Sequence, residues 1–178
     1  MKIVFETHST SLDNEAGVAS GHIDVDLSPL GVRQGEELGA RRRNSGIEIV
    51  YASDLRRSWR TAEIAFGGTG IRIVRDVRLR ECDYGEMSGR TVAEIEAYRV
   101  RAVHEPFPGG ESYTQAAARL RAWLDDVGQL PERRLLVIGH RATFYTLEHL
   151  LRGVPLERVI SAPFEWRPGW VFMTSAGV

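Results

Sequence analysis

Hydrophobic positions along the chain fall into short continuous runs separated by longer stretches of helical spacing. Lys2–Glu6, Ile47–Tyr51, Ile71–Val74, Leu135–Ile138 and Trp170–Met173 are rich in β-branched and aromatic residues, and each predicts a β-strand. The first and fourth are unbroken apolar runs, the pattern of strands covered on both faces. Ser28-Pro29 sets an N-cap before a proline at the first helical position and opens a helix to about Asn44. Ser53 or Asp54 caps a second helix, ended near Phe66 by Gly67-Gly68. Ser112 and Gln115 have capping-box spacing, and their helix runs to about Leu130, before Pro131. Residues 141–152 carry a strong helical pattern closed by Gly153. Strands alternating with helices predict an α/β fold, a three-layer α/β/α sandwich around a mostly parallel sheet. Residues 85–110 are the least periodic and read as a lid-like insertion within one domain spanning residues 1–178.

Composition narrows the classes further. A length of 178 residues suits one domain, and 43 % hydrophobic residues supply a core that a disordered chain lacks. A net charge of −1 offers no basic field for nucleic acid or an anionic membrane surface. The opening apolar run meets Glu6 far short of the about 7–15 apolar residues of a signal peptide, and no later run is long enough to span a bilayer. The single cysteine, Cys82, has no internal disulfide partner, which fits a reducing compartment; the expectation is a soluble cytoplasmic protein. Lys2 is the one lysine among 23 basic residues. That bias runs through the whole chain and reads as codon usage, so each arginine is argued from its position.

In sheets of this kind, ligands bind outside the carboxyl ends of the strands. His8 and His140 lie just past the first and fourth predicted strands, and Arg57 lies in the opening turn of the helix after the second. Arginine there meets the positive end of the helix dipole, a cost of about 0.3–1 kcal/mol if exposed. A bound anion would reconcile arginine and helix terminus; a solvated arginine is the alternative. His8 sits in the hydroxyl-rich turn Thr7-His8-Ser9-Thr10-Ser11, with Asn14 close by, and such turns cradle phosphate oxygens. A lone histidine after a strand is more often structural, but two of them plus an arginine shift that balance. No carboxylate or thiol stands at short metal-ligand spacing from either histidine, and no glycine-rich nucleotide loop is present. His22, His104 and His149 are scattered and read as surface or packing residues.

Taken in order, these residues resemble the histidine phosphatase superfamily, also called phosphoglycerate-mutase-like. Thr7-His8-Ser9-Thr10-Ser11 with Asn14 and Gly17 resembles the family's Arg-His-Gly-Glu-Thr-x-x-Asn-x-x-Gly opening. Asp26-Leu27-Ser28-Pro29-Leu30 is similar to the segment that follows. Ser53-Asp54-Leu55-Arg56-Arg57 with Thr61-Ala62 resembles Ser-x-Leu-x-Arg-x-x-x-Thr-Ala. Leu79-Arg80-Glu81 resembles the segment bearing the acid, Pro108-Gly109-Gly110-Glu111-Ser112 a Pro-x-Gly-Glu-Ser element, and Ile138-Gly139-His140 falls where the second histidine is expected.

The resemblance implies a metal-independent phosphomonoester hydrolase without cofactor, acting on a small phosphorylated metabolite through a phosphohistidine. His8 would attack phosphorus; Arg57 and His140 would hold the equatorial oxygens; Asn14 would add a donor; Glu81 would protonate the leaving oxygen and then help water attack. Thr7 stands where the family has arginine and Ser9 where it has glycine. A lost bidentate arginine removes a contact worth about 1.5–3 kcal/mol. Arg141, one residue past His140, is the candidate replacement. The alternative reading is a non-catalytic phosphate- or partner-binding protein of the same fold. The short stretch from Gly89 to Pro108 favours hydrolysis over mutase chemistry, because it leaves little room for a lid that excludes water. Tyr84, Phe107 and Tyr113 line a pocket or pack in the core. Trp166, Trp170 and Phe172 form either a homodimer surface or a packed edge strand, and the pattern leaves both open.

Overall fold

A computed structural model describes residues 1–174. Five strands form one sheet: β1 (Lys2–Thr7), β2 (Ile49–Ala52), β3 (Arg72–Arg75), β4 (Arg134–Gly139) and β5 (Trp170–Met173). Their order is β3-β2-β4-β1-β5. All neighbours are parallel except β5, which runs antiparallel to β1 at the edge. Helices α1 (Leu12–Glu15), α2 (Pro29–Arg42), α3 (Arg56–Phe66), α4 (Val92–Tyr98), α5 (Tyr113–Gly128), α6 (Arg141–Arg152) and α7 (Leu156–Ser161) complete the chain. None of the helices among the described residues is long and apolar enough to cross a membrane.

Side chains alternate across the strands, so each apolar run feeds two cores. Ile3, Phe5, Leu135 and Val137 pack with Trp123 and Leu120 of α5 and Leu147 of α6. Val4, Leu136 and Ile138 pack on the opposite face with Leu38 of α2 and Ala62 and Phe66 of α3. This is the α/β/α sandwich expected from the alternation. Trp170 and Phe172 are buried in the first of these cores. A third cluster, including Cys82, Tyr84, Phe107, Tyr113 and Tyr145, lies under the 85–110 segment.

Two caps form as the sequence predicts. Ser28 Oγ accepts from the Gly31 amide ahead of Pro29. Ser112 and Gln115 close a reciprocal capping box. The start of α3 differs: Leu55 is its N-cap, with no side-chain cap. Ser53 instead accepts from the Leu55 amide, and Asp54 turns away to a two-pronged pair with Arg80 at 2.8 and 2.6 Å.

Candidate active site

Sheet register brings the two histidines together. Thr7 pairs with Gly139 across β1 and β4, so the next residue of each strand emerges at the same edge. The His8 amide donates to the Gly139 carbonyl at 2.9 Å, and the His8 and His140 ring centroids lie 5.0 Å apart. The turn after β1 is clamped from two sides. The Ser9 amide donates to Thr61 Oγ1 at 3.0 Å, and that hydroxyl donates to the Arg57 carbonyl at 2.7 Å, which ties the turn to α3. Gly31 lies against the Thr10 backbone so closely that a Cβ would fall 2.0 Å from the Thr10 oxygen.

His8 Nδ1 lies 2.7 Å from the Ser9 carbonyl oxygen. Only an N–H can satisfy that acceptor, so Nδ1 carries the proton and Nε2 keeps its lone pair. Burial, reinforced by the nearby Arg57 guanidinium, lowers the His8 pKa to about 3, while the bond to Ser9 works the other way. The ring is therefore neutral at physiological pH. His140 is buried, and neither ring nitrogen has a hydrogen-bond partner among the described residues. Burial first, then Arg57 and His8, push its pKa well below the usual histidine value. A buried imidazole without partners is costly unless something else meets it.

Arg57 is not a solvated arginine: it is 3 % exposed. Its two terminal nitrogens donate to the carbonyls of Ile23 at 2.9 Å and Gly21 at 2.8 Å. Glu81 follows a short turn after β3, and its Oε1 accepts from the amides of Cys82 at 2.8 Å and Ala142 at 3.1 Å. Both bonds fall on one oxygen, which leaves Oε2 uncommitted. His8, Arg57, Glu81, His140, Asn14 and Thr7 all border one cavity of about 210 Å³. Asn14 spends Oδ1 on the Ser11 amide at 3.0 Å, which leaves its amide N–H groups free.

Thr7 Oγ1 accepts from the Trp166 indole N–H at 3.2 Å. A second cavity of about 470 Å³ adjoins it and shares Thr7, His8, Asn14 and Arg141 with the first. Arg141 opens α6, pairs with Glu96 of α4 at 3.0 Å and lies 5.0 Å over the Phe164 ring. It borders both cavities. The same structure also holds residues that the sequence reading passed over. Arg119 donates to the Glu81 carbonyl at 2.9 Å and pairs with Glu111 at 2.5 Å. Arg99 donates to the Tyr145 hydroxyl at 3.2 Å at the cavity wall. The Pro-x-Gly-Glu-Ser element was the one signal pointing toward the Glu111–Arg119 pair. Burial pushes the Cys82 thiol pKa up, so that cysteine is an inert packing residue.

The arrangement can bind a phosphoryl group between one guanidinium and two imidazoles, with a carboxyl group beside it. Residues 3–165 match the Histidine phosphatase superfamily (branch 1). The chain is 32% identical over 160 residues to the protein named "Putative phosphoserine phosphatase 2" of Hydrogenobacter thermophilus, covering 85% of this chain and 79% of that one. Mycobacterial glucosyl-3-phosphoglycerate phosphatase, solved in complex with VO3, superposes with a TM-score of 0.81 at 27% identity, over 91% of this chain and 87% of its own. YhfR of Bacillus stearothermophilus superposes with a TM-score of 0.84 at 26% identity, over 99% of this chain and 92% of its own.

Proposed function

Because the chain belongs to the histidine phosphatase superfamily, we propose that its phosphomonoester hydrolysis runs through a phosphohistidine at His8 on a small phosphorylated metabolite. The observation that carries this reading is the state of His8: neutral, with Nδ1–H held by Ser9, and sharing one cavity with Arg57, His140 and Glu81. A neutral ring with a free Nε2 lone pair is the nucleophile such a transfer needs.

In the first step Nε2 bonds to phosphorus while the ester P–O bond breaks. Glu81, protonated at Oε2, gives its proton to the leaving oxygen. Arg57 binds the equatorial oxygens as a fixed cation, and neutral His140 has one ring N–H to add. In the second step Glu81, now a carboxylate, takes a proton from water as that water attacks phosphorus. The N–P bond breaks, phosphate leaves, and His8 regains its lone pair. Asn14 adds a neutral donor. Arg141 takes the part of the arginine that Thr7 replaces, reaching the phosphoryl group from the start of α6.

Steady-state phosphate release from a panel of esters tests the reading. The wild type should turn over at least one ester, and His8→Ala should abolish release. Glu81→Gln should slow it by roughly 10²–10⁴-fold, the usual worth of a general acid. A His8→Ala protein with wild-type turnover would end the proposal. Efficient exchange between two phosphoglycerates with little free phosphate would replace hydrolysis by mutase chemistry.

A further inference from the structure

Glu81 lies between a short turn and the 85–110 segment, outside any helix or strand, so no ladder of backbone bonds fixes its position. Individual hydrogen bonds fix it instead: the Cys82 and Ala142 amides hold Oε1 of its carboxyl group, and two side chains hold the peptide that carries it. Its carbonyl accepts from Arg119 at 2.9 Å and from His22 Nε2 at 2.8 Å. The other His22 nitrogen, Nδ1, lies 3.5 Å from the Asp83 carboxylate. His22 sits between Gly21 and Ile23, whose carbonyls are the two acceptors of the Arg57 guanidinium. Gly21 has φ +53°, and a Cβ there would come within 2.8 Å of Ser88 Oγ and 3.1 Å of the Tyr84 ring, so the close turn requires glycine. One three-residue segment thus grips Arg57 through its backbone and Glu81 through its side chain.

We propose that His22 is a positioning residue for the general acid, setting the place of the Glu81 carboxyl group relative to the phosphoryl group that Arg57 holds. The inference rests on the assignment of Glu81 as the acid. Arg119 approaches Glu81 from α5 and is itself anchored to Glu111 and to the Arg78 carbonyl at 2.6 Å. It therefore fixes Glu81 to the body of the protein but not to Arg57. His22 supplies the direct link. Proton transfer needs the acid within about 2.6–3.2 Å of the leaving oxygen, and a displacement of about 1 Å costs on the order of a hundredfold. His22 reaches no substrate atom in this role; it acts through the peptide that carries Glu81.

The test is leaving-group dependence. β-Glycerol phosphate expels an alkoxide, which requires protonation, whereas p-nitrophenyl phosphate expels a phenolate that departs with little help. Values of kcat/KM for both report formation of the phosphoenzyme. In His22→Ala the alkyl ester should lose about tenfold or more beyond the loss of the aryl ester. His22→Gln, whose amide N–H can span to the Glu81 carbonyl, should restore the wild-type ratio. His22→Asn, one methylene shorter, should not, and it carries the comparison if the alanine protein fails to fold. Equal losses for the two esters, or no loss for either, would overturn the role of His22 while leaving His8 chemistry intact. A wild type that turns over neither ester would remove the assignment of the acid and this inference together.

Discussion

Arg141→Ala removes a guanidinium that borders both cavities around His8. In the free protein that group is paired with Glu96 at 3.0 Å, with both side chains nearly half exposed. Such a pair is worth at most about 1 kcal/mol, so it orients Arg141 without locking it away from an incoming anion. A charge-assisted contact to the phosphoryl group is worth about 1.5–3 kcal/mol. At 1.36 kcal/mol per tenfold, its loss should lower kcat/KM by about 10- to 150-fold if the contact tightens fully in the transition state. Thr7→Arg should reverse part of that loss. The new side chain would emerge at the end of β1 beside the cavity of about 470 Å³, giving up only the Trp166–Thr7 hydrogen bond. The assay is a double-mutant cycle on kcat/KM, with inorganic phosphate inhibition measured in parallel. Thr7→Arg should raise activity more in the Arg141→Ala background than in the wild type, because the two guanidiniums serve one anion. Unchanged turnover and unchanged phosphate affinity in Arg141→Ala would refute the replacement, and additive effects would show that the two positions act independently.

Three further outcomes follow from the same geometry. Gly31→Ala forces a Cβ to within 2.0 Å of the Thr10 oxygen, so it should destabilise the fold by about 1–3 kcal/mol and lower activity by shifting the His8 turn; an unchanged urea midpoint would contradict the packing argument. His8 has a folded pKa of about 3 against an ordinary value of 6.5, so the unfolded chain binds the extra proton between those values and stability is lost as pH falls below about 6.5. The urea midpoint of the wild type should therefore drop more between pH 6.5 and 5 than that of His8→Asn, and parallel curves would show that His8 is not held neutral by the fold. Because the Arg57 guanidinium supplies the positive charge and the neutral imidazoles supply a lone pair and an N–H, incubation with a chelator followed by desalting should leave turnover unchanged; activity restored only by an added divalent ion would contradict this account of the site.

Much of the architecture was legible because the chain signals it locally. The apolar runs at 2–6 and 135–138 mark the central strands, and Ser28-Pro29 and Ser112/Gln115 mark helix starts by the chemistry of their own side chains. The start of α3 was misread because Asp54 looks like a cap in sequence, whereas Arg80 claims its carboxylate through a contact that no local pattern encodes. Thr91 and Glu94 do form a capping box, and that signal for α4 inside the least periodic region was overlooked. Once two strands are taken as parallel neighbours, residues just past their ends converge, which is how His8 and His140 could be paired from sequence. The supports of Glu81 were not legible. They are donors from His22 and Arg119 to a backbone carbonyl, and a carbonyl has no residue-specific signature to match. Trp166 was equally opaque: its indole N–H seeks Thr7 Oγ1, a contact that depends on where the segment before β5 crosses the end of β1.

The central claim is that His8 carries the phosphoryl group. Wild type and His8→Ala would be mixed with an aryl phosphate at mildly acidic pH, quenched in alkali, which preserves a phosphoramidate, and weighed intact. The account predicts a single phosphoryl adduct on the wild type, released as free phosphate when the quench is delayed, and none on His8→Ala. Release of the aryl alcohol by the wild type with no adduct at any time, or an adduct that persists in His8→Ala, would contradict it.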